Sequence, residues 1–277
     1  MNQLPYKTWG EATGEMPIYF AHANGFPPAT YQPIIDALAE KRQVISYLQR
    51  PLWQPAPELN SIKDWYDLAD DVIRFFDENK LKNVVAVGHS LGSVTAFMAA
   101  QKRPDLFKAL VMIEPVTLPW LTCWITRTFP KLVKNRVKII TKTLGRPNRF
   151  DSKQAAFDFH RKSRAFRNIS DDNLWHYINA AVGEKDGEYQ LVFPREWEAK
   201  IYATVSYFRN QLVRSKTPVL ALRGGHSDTI AAGFWQKWKT NPNHQFAEFP
   251  DNGHLLPLEN AEGVIEQMLP FVMQHLS

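Results

Sequence analysis

Between residue 16 and about residue 115, short apolar runs alternate with amphipathic stretches of helical period, and few folds accommodate that alternation. The runs are residues 18–21, 44–48, 84–87 and 110–113, and each has the length and apolar content of a strand. Between them, residues 30–40 set Ile34, Ile35 and Leu38 on one helical face, while Trp65, Leu68, Ala69, Val72, Ile73 and Phe76 form a longer stripe. Strands separated by crossover helices predict a parallel sheet covered by helices, an α/β architecture. The pattern resumes near the end of the chain, with strands expected over 218–222 and 245–249 and helices over 230–239 and 258–276.

Residues 117–216 break the alternation and read as helices. Ser170-Asp171-Asp172 has the composition of a helix start ahead of Leu174, Trp175, Tyr177, Ile178 and Ala181, with Gly183 past its end. Pro194 stands at the first turn of a helix carrying Trp197, Ala199, Ile201 and Tyr202. A chain of 277 residues suits one large domain with an insertion better than two independent domains. The expected organisation is therefore a core of residues 1–116 and 217–277 and a helical cap of residues 117–216.

Within the core, Gly88-His89-Ser90-Leu91-Gly92 follows an apolar strand and precedes a helix-forming stretch from Ser93 to Ala100. A serine at a sharp strand-to-helix turn exposes its hydroxyl, and glycines two positions away on either side let strand and helix pass closely. Ser90 is thus the candidate nucleophile; the plainer alternative is a helix N-cap serine. A serine hydroxyl is a weak nucleophile without a base, and the base needs an acid to orient it. His254 lies in a glycine-bearing loop between a predicted strand and the last helix, at the sheet edge where Ser90 must also lie. Asp228 follows the strand before it and is the expected acid, with Glu114, which ends the strand before the cap, and Asp251 as rivals. His89 adjoins the nucleophile, but adjacent side chains at a strand end diverge, so it is expected to be structural or to line the pocket.

His22-Ala23-Asn24-Gly25 after the first central strand, the turn around Ser90, and the chain order Ser90, Asp228, His254 together resemble an α/β-hydrolase with a helical cap, of carboxylesterase-like type. The resemblance covers nearly the whole chain. It implies a twisted, mostly parallel sheet, with the cap inserted after the strand that follows the elbow helix. It also implies an oxyanion hole made by the backbone N–H groups of Asn24 and Leu91, where negative charge develops on the carbonyl oxygen. His22 would anchor the Asn24 loop and border the substrate.

Serine at the elbow disfavours the haloalkane dehalogenases and epoxide hydrolases of similar fold, which use aspartate there. Acyl transfer to water remains: ester hydrolysis first, with lactone or carbon–carbon bond hydrolysis and cofactor-free perhydrolysis as alternatives on the same triad, and a non-catalytic receptor as a further one. The expected substrate is a small, apolar ester. Trp120, Trp124 and Trp175 are candidates to line its pocket, although aromatics at helical spacing commonly serve packing.

Charge is unevenly spread. Residues 116–216 hold 19 Lys+Arg against 9 Asp+Glu, while the remainder holds 14 against 19, so a basic insertion sits on an acidic core. The stretch 120–140 has no acidic residue and mixes tryptophan, aliphatics and cations. An amphipathic cover over an apolar cleft and an interfacial helix on anionic lipid both need that composition. Pro130 interrupts a continuous helix, so membrane contact is the weaker reading. No zinc-finger or recognition-helix pattern supports nucleic-acid binding, and no phosphate loop, dinucleotide fingerprint or metal-ligand spacing is present, so no cofactor is expected. A single cysteine, Cys123, excludes an internal disulfide. With no apolar run of transmembrane length and no signal-type N-terminus, a cytoplasmic setting is the expectation.

Overall fold

The computed structural model describes residues 3–129 and 137–276. The strands are β1 (Tyr6–Trp9), β2 (Ile18–Ala21), β3 (Val44–Tyr47), β4 (Val84–His89), β5 (Phe107–Ile113), β6 (Arg149–Phe150), β7 (Val182–Lys185), β8 (Glu188–Leu191), β9 (Val219–Gly224) and β10 (His244–Phe249). Seven of these form one sheet in the order β1-β3-β2-β4-β5-β9-β10, parallel except for β1, which runs antiparallel to β3. β2, β3, β4 and β9 are buried at every position, as strands covered on both faces must be, and for that reason they appear in the sequence as uninterrupted apolar runs.

Helices cover both faces. In the core these are α1 (Gln32–Ala39), α2 (Trp65–Glu78) and α3 (Leu91–Lys102). The segment after β5 adds α4 (Trp120–Thr128), α5 (Lys138–Gly145), α6 (Lys153–Arg161), α7 (Asp171–Ala181), α8 (Arg195–Tyr202) and α9 (Arg209–Arg214). α10 (Ala232–Trp238), α11 (Leu256–Glu259) and α12 (Ala261–Leu276) complete the chain. One apolar cluster joins α2 and α3 to one sheet face through Trp65, Phe75, Phe76 and Phe97; the other joins α1 and α12 to the opposite face through Ile34, Leu38, Val264 and Phe271. α2 starts on a capping box in which Asp64 and Asp67 satisfy each other's backbone N–H groups.

Chain order places β3 on one side of β2 and β4 on the other, so the loops leaving β2 and β4 meet at the carboxyl edge of the sheet, where open α/β sheets form their crevice. The segment between β5 and β9 interrupts the sheet order where the sequence breaks its alternation. It was expected to be helical throughout, but β6, β8 and β7 form a small antiparallel sheet of their own. Asp186 and Gly187, both at positive φ (54° and 77°), close the β7–β8 hairpin, with Lys185 paired to Glu188. A two-residue Asp-Gly loop is the turn whose twist suits a hairpin, a signal the helical reading passed over. Pro130, taken as the interruption of a longer helix, lies outside the described residues. Among the described residues, no helix is long and apolar enough to cross a membrane.

Candidate active site

Ser90 sits between β4 and α3 at φ 52° and ψ −122°, a backbone conformation that side-chain-bearing residues seldom adopt. The turn is held because Ser90 N–H donates to Ile113 O on the neighbouring strand at 2.9 Å. Gly92 makes the crossing feasible: a Cβ built there would stand 2.1 Å from the carbonyl oxygen of Ala21. The Ser90 hydroxyl lies 3.0 Å from Nε2 of His254, which the loop after β10 delivers to the same edge. The Nδ1 side of that ring faces Glu114 Oε2 at 3.1 Å.

Glu114 is the first residue after β5 and adopts φ 50°, which turns its fully buried carboxylate toward His254. Four donors surround that carboxylate. Gly224 N–H donates to Oε1, while Ser227 Oγ, Thr229 Oγ1 and the His254 ring donate to Oε2. A buried anion needs such partners, and here two of them, Ser227 and Thr229, come from the loop on which the acid itself was expected.

The expectation that Asp228 orients His254 is therefore corrected. Asp228 is exposed, and the residues on either side of it, Ser227 and Thr229, turn inward to Glu114. The chain bends there, with Thr229 N–H donating to Ser227 Oγ at 3.3 Å, and the bend leaves Asp228 outside between its two inward neighbours. Asp251, the other rival, is also exposed.

His89 is fully buried with both ring nitrogens engaged, so neither is left for a substrate. Its Nε2–H donates to the His254 carbonyl at 2.9 Å, which leaves Nδ1 to accept from the Tyr31 hydroxyl at 2.8 Å. The same hydroxyl lies 3.4 Å from Ala23 N–H. Burial, then the proximity of His254, holds the His89 pKa well below its ordinary value, so the ring is neutral in this chain of bonds. His22 is likewise internal: Nδ1–H donates to Ala23 O at 3.0 Å, Nε2 accepts from Gln49 N–H at 3.2 Å, and burial lowers its pKa to about 4. It ties the loop after β2 to the loop after β3 and presents no nitrogen to a ligand.

These observations fit one family, and a comparison with family models decides it: the model described as alpha/beta hydrolase fold matches residues 47–261. The chain belongs to the alpha/beta hydrolase fold family. Over 260 residues it is 20% identical to a protein named an uncharacterized hydrolase of Bacillus subtilis, covering 88% of this chain and 85% of that one. In structure it is similar to E-2-(acetamidomethylene)succinate hydrolase, with a TM-score of 0.78 at 19% identity, covering 98% of this chain and 95% of that one. It is also similar to the enol-lactonase of Burkholderia xenovorans, with a TM-score of 0.69 at 16% identity, covering 98% and 96%.

In this alpha/beta hydrolase, Asn24 and Leu91 occupy the loop after β2 and the first position of α3. Both are buried, and the N–H of Leu91, at the first turn, has no acceptor within its own helix. Of the tryptophans expected to line a pocket, two are exposed and one is packed in a ring stack. Trp120 and Trp124 occupy the outer face of α4, 61% and 50% exposed, and Trp175 stacks on Phe157 at a centroid distance of 4.6 Å. Cys123 is buried on the inner side of α4, where burial pushes its thiol up to about 11, out of the range of a reactive thiolate. Sequence reasoning passed over Ser227, Thr229 and Tyr31; no motif marks them, because their roles follow from which strand ends adjoin.

Proposed function

We propose that the chain is a serine hydrolase that cleaves carboxylic esters of small molecules through Ser90, His254 and Glu114. One observation carries the reading: a hydroxyl on a strained turn 3.0 Å from an imidazole nitrogen whose other nitrogen is 3.1 Å from a buried carboxylate. His254 Nε2 takes the Ser90 proton as Oγ attacks the ester carbonyl carbon. The carbonyl π electrons move to oxygen, and the backbone N–H groups of Leu91 and Asn24 stabilise that oxyanion. Collapse breaks the bond to the alcohol, which leaves with the proton held on His254. Water then repeats the sequence on the acyl-enzyme, with His254 as base, and releases the acid and free Ser90. Glu114 keeps the Nδ1–H tautomer and balances the imidazolium charge without taking the proton.

A lactone is a cyclic ester and would pass through the same steps. The likeness to an enol-lactonase makes lactone cleavage the second reading. The test is labelling by a fluorophosphonate with Ser90→Ala as control, followed by p-nitrophenyl esters of rising chain length and a set of lactones. Ser90-dependent labelling with turnover of the esters is the expected result. Absence of labelling in the intact chain would remove the proposal, and turnover confined to lactones would establish the second reading.

A further inference from the structure

The loop carrying the Asn24 N–H is gripped by the inserted segment as well as by the sheet. The Asn24 side chain is buried, and its Nδ2 donates to the backbone carbonyl of Glu198 in α8 at 3.1 Å. Among the described residues its Oδ1 is buried without a partner, so within them the bond to α8 fixes the facing of the amide. Gly25 follows at φ 79°, with the Glu198 carboxylate pressed against it: a Cβ built on Gly25 would stand 2.8 Å from Oε2 and 3.0 Å from Cδ. Glu198 is 5% exposed, and its Oε2 lies 2.5 Å from Nη2 of Arg146, just past the end of α5. A second cation of the insertion, Arg195, donates through Nη1 to the Arg146 carbonyl.

The proposed ester cleavage uses neither Glu198 nor Arg146. A buried ion pair is a poor source of stability, since apolar side chains of similar volume commonly do as well in its place. Its site, against the two residues that shape the oxyanion loop, points to another role. We propose that Glu198, fixed by Arg146, is a positioning residue: it clamps the Asn24–Gly25 turn so that the Asn24 N–H is held beside that of Leu91. Seating of the inserted segment and readiness of the oxyanion donor are then one event. This inference rests on the ester-hydrolase reading for its catalytic consequence but not for the clamp itself.

The test compares the intact chain with Glu198→Ala, Arg146→Ala and Arg146→Lys. The double variant Glu198→Gln with Arg146→Met is added because it keeps bulk without a lone buried charge if the single variants fold poorly. Two readouts are taken: kcat and KM on a p-nitrophenyl ester, and hydrogen–deuterium exchange over residues 22–28 and 88–94. Misplacing a donor should cost less than losing it, so kcat should fall about tenfold or more, short of the on the order of 100-fold typical of outright loss, with KM little changed. Exchange should rise over 22–28 and stay level over 88–94, and Arg146→Lys should recover most of the rate. Wild-type kcat in Glu198→Ala, a loss confined to KM, or unchanged exchange over 22–28 would each overturn the clamp. If the wild-type chain turns over no ester, the function reading falls, while the exchange comparison still decides the clamp.

Discussion

Ser90 and Glu114 hold positive φ angles of 52° and 50°, and theirs are the two side chains that must converge on His254. Such conformations cost on the order of 1–3 kcal/mol each and persist where the surroundings over-determine them. Here the strand ends do so: Ser90 N–H donates to Ile113 O, and Glu114 N–H donates to Leu222 O, both at 2.9 Å. Glu114→Gln keeps the volume but puts an amide where His254 needs an anion. By analogy with carboxylate-to-amide changes in other triads, kcat should drop by about 1,000-fold or more, measured on any ester the wild type accepts. Asp228→Asn should leave kcat within about twofold, since an exposed surface change touches none of the reacting groups. The reverse ranking would return the acid role to Asp228. Ser90 and His254 were legible because a motif and a glycine-bearing loop mark them. The choice between Glu114 and Asp228 was not, because it turns on how the bend after β9 sets Ser227 and Thr229 inward and Asp228 outward, which no local pattern reveals.

At the level of elements, β2, β3, β4 and β9, buried on both faces, announce themselves as apolar runs, and the partly buried β10 was still legible, whereas β1 and the β7–β8 hairpin were not. β1, with Tyr6, Lys7 and Thr8 exposed, has no apolar face to advertise and owes its place to pairing with β3. The β7–β8 hairpin carried a readable turn, but its strands alternate too weakly to override a helical context. Gly187→Ala should destabilise the chain by about 1 kcal/mol, the cost of a Cβ at φ 77°, seen as a lower urea midpoint with unchanged slope. Space is open around Gly187, so the effect would be conformational and not steric. Gly92→Ala is the contrasting case: its Cβ meets Ala21 O at 2.1 Å, with Ala21 C and His22 O at 2.5 Å, all backbone, and the expected outcome is loss of folded protein on expression, checked by circular dichroism of whatever is recovered.

For the whole molecule, the buried histidines set the response to acid. His22, His160 and His244 are held at about 4 and His89 well below its usual value, in each case chiefly by burial. Unfolded, each would bind a proton near pH 6.5. Between that value and about 4 the unfolded chain holds more protons than the folded one. Stability therefore rises with pH and is lost on acidification, by about 1.4 kcal/mol per pH unit for each group. Asp71 and Glu198, whose carboxyls burial raises, act in the opposite sense and offset part of the loss. Thermal melting should move down between pH 7 and pH 5; a flat or rising profile would contradict the neutral, buried state of these rings. The pairing of β4 with β5 has a consequence for the order in which the machine is made. A ribosome that has passed Glu114 has already supplied the proposed nucleophile and acid on adjoining strand ends, yet His254 is still 140 residues away. The nascent chain is thus inert until its last portion arrives. Two fragments divided within the inserted segment would carry this chemistry only when joined, so ester turnover could report their reassembly.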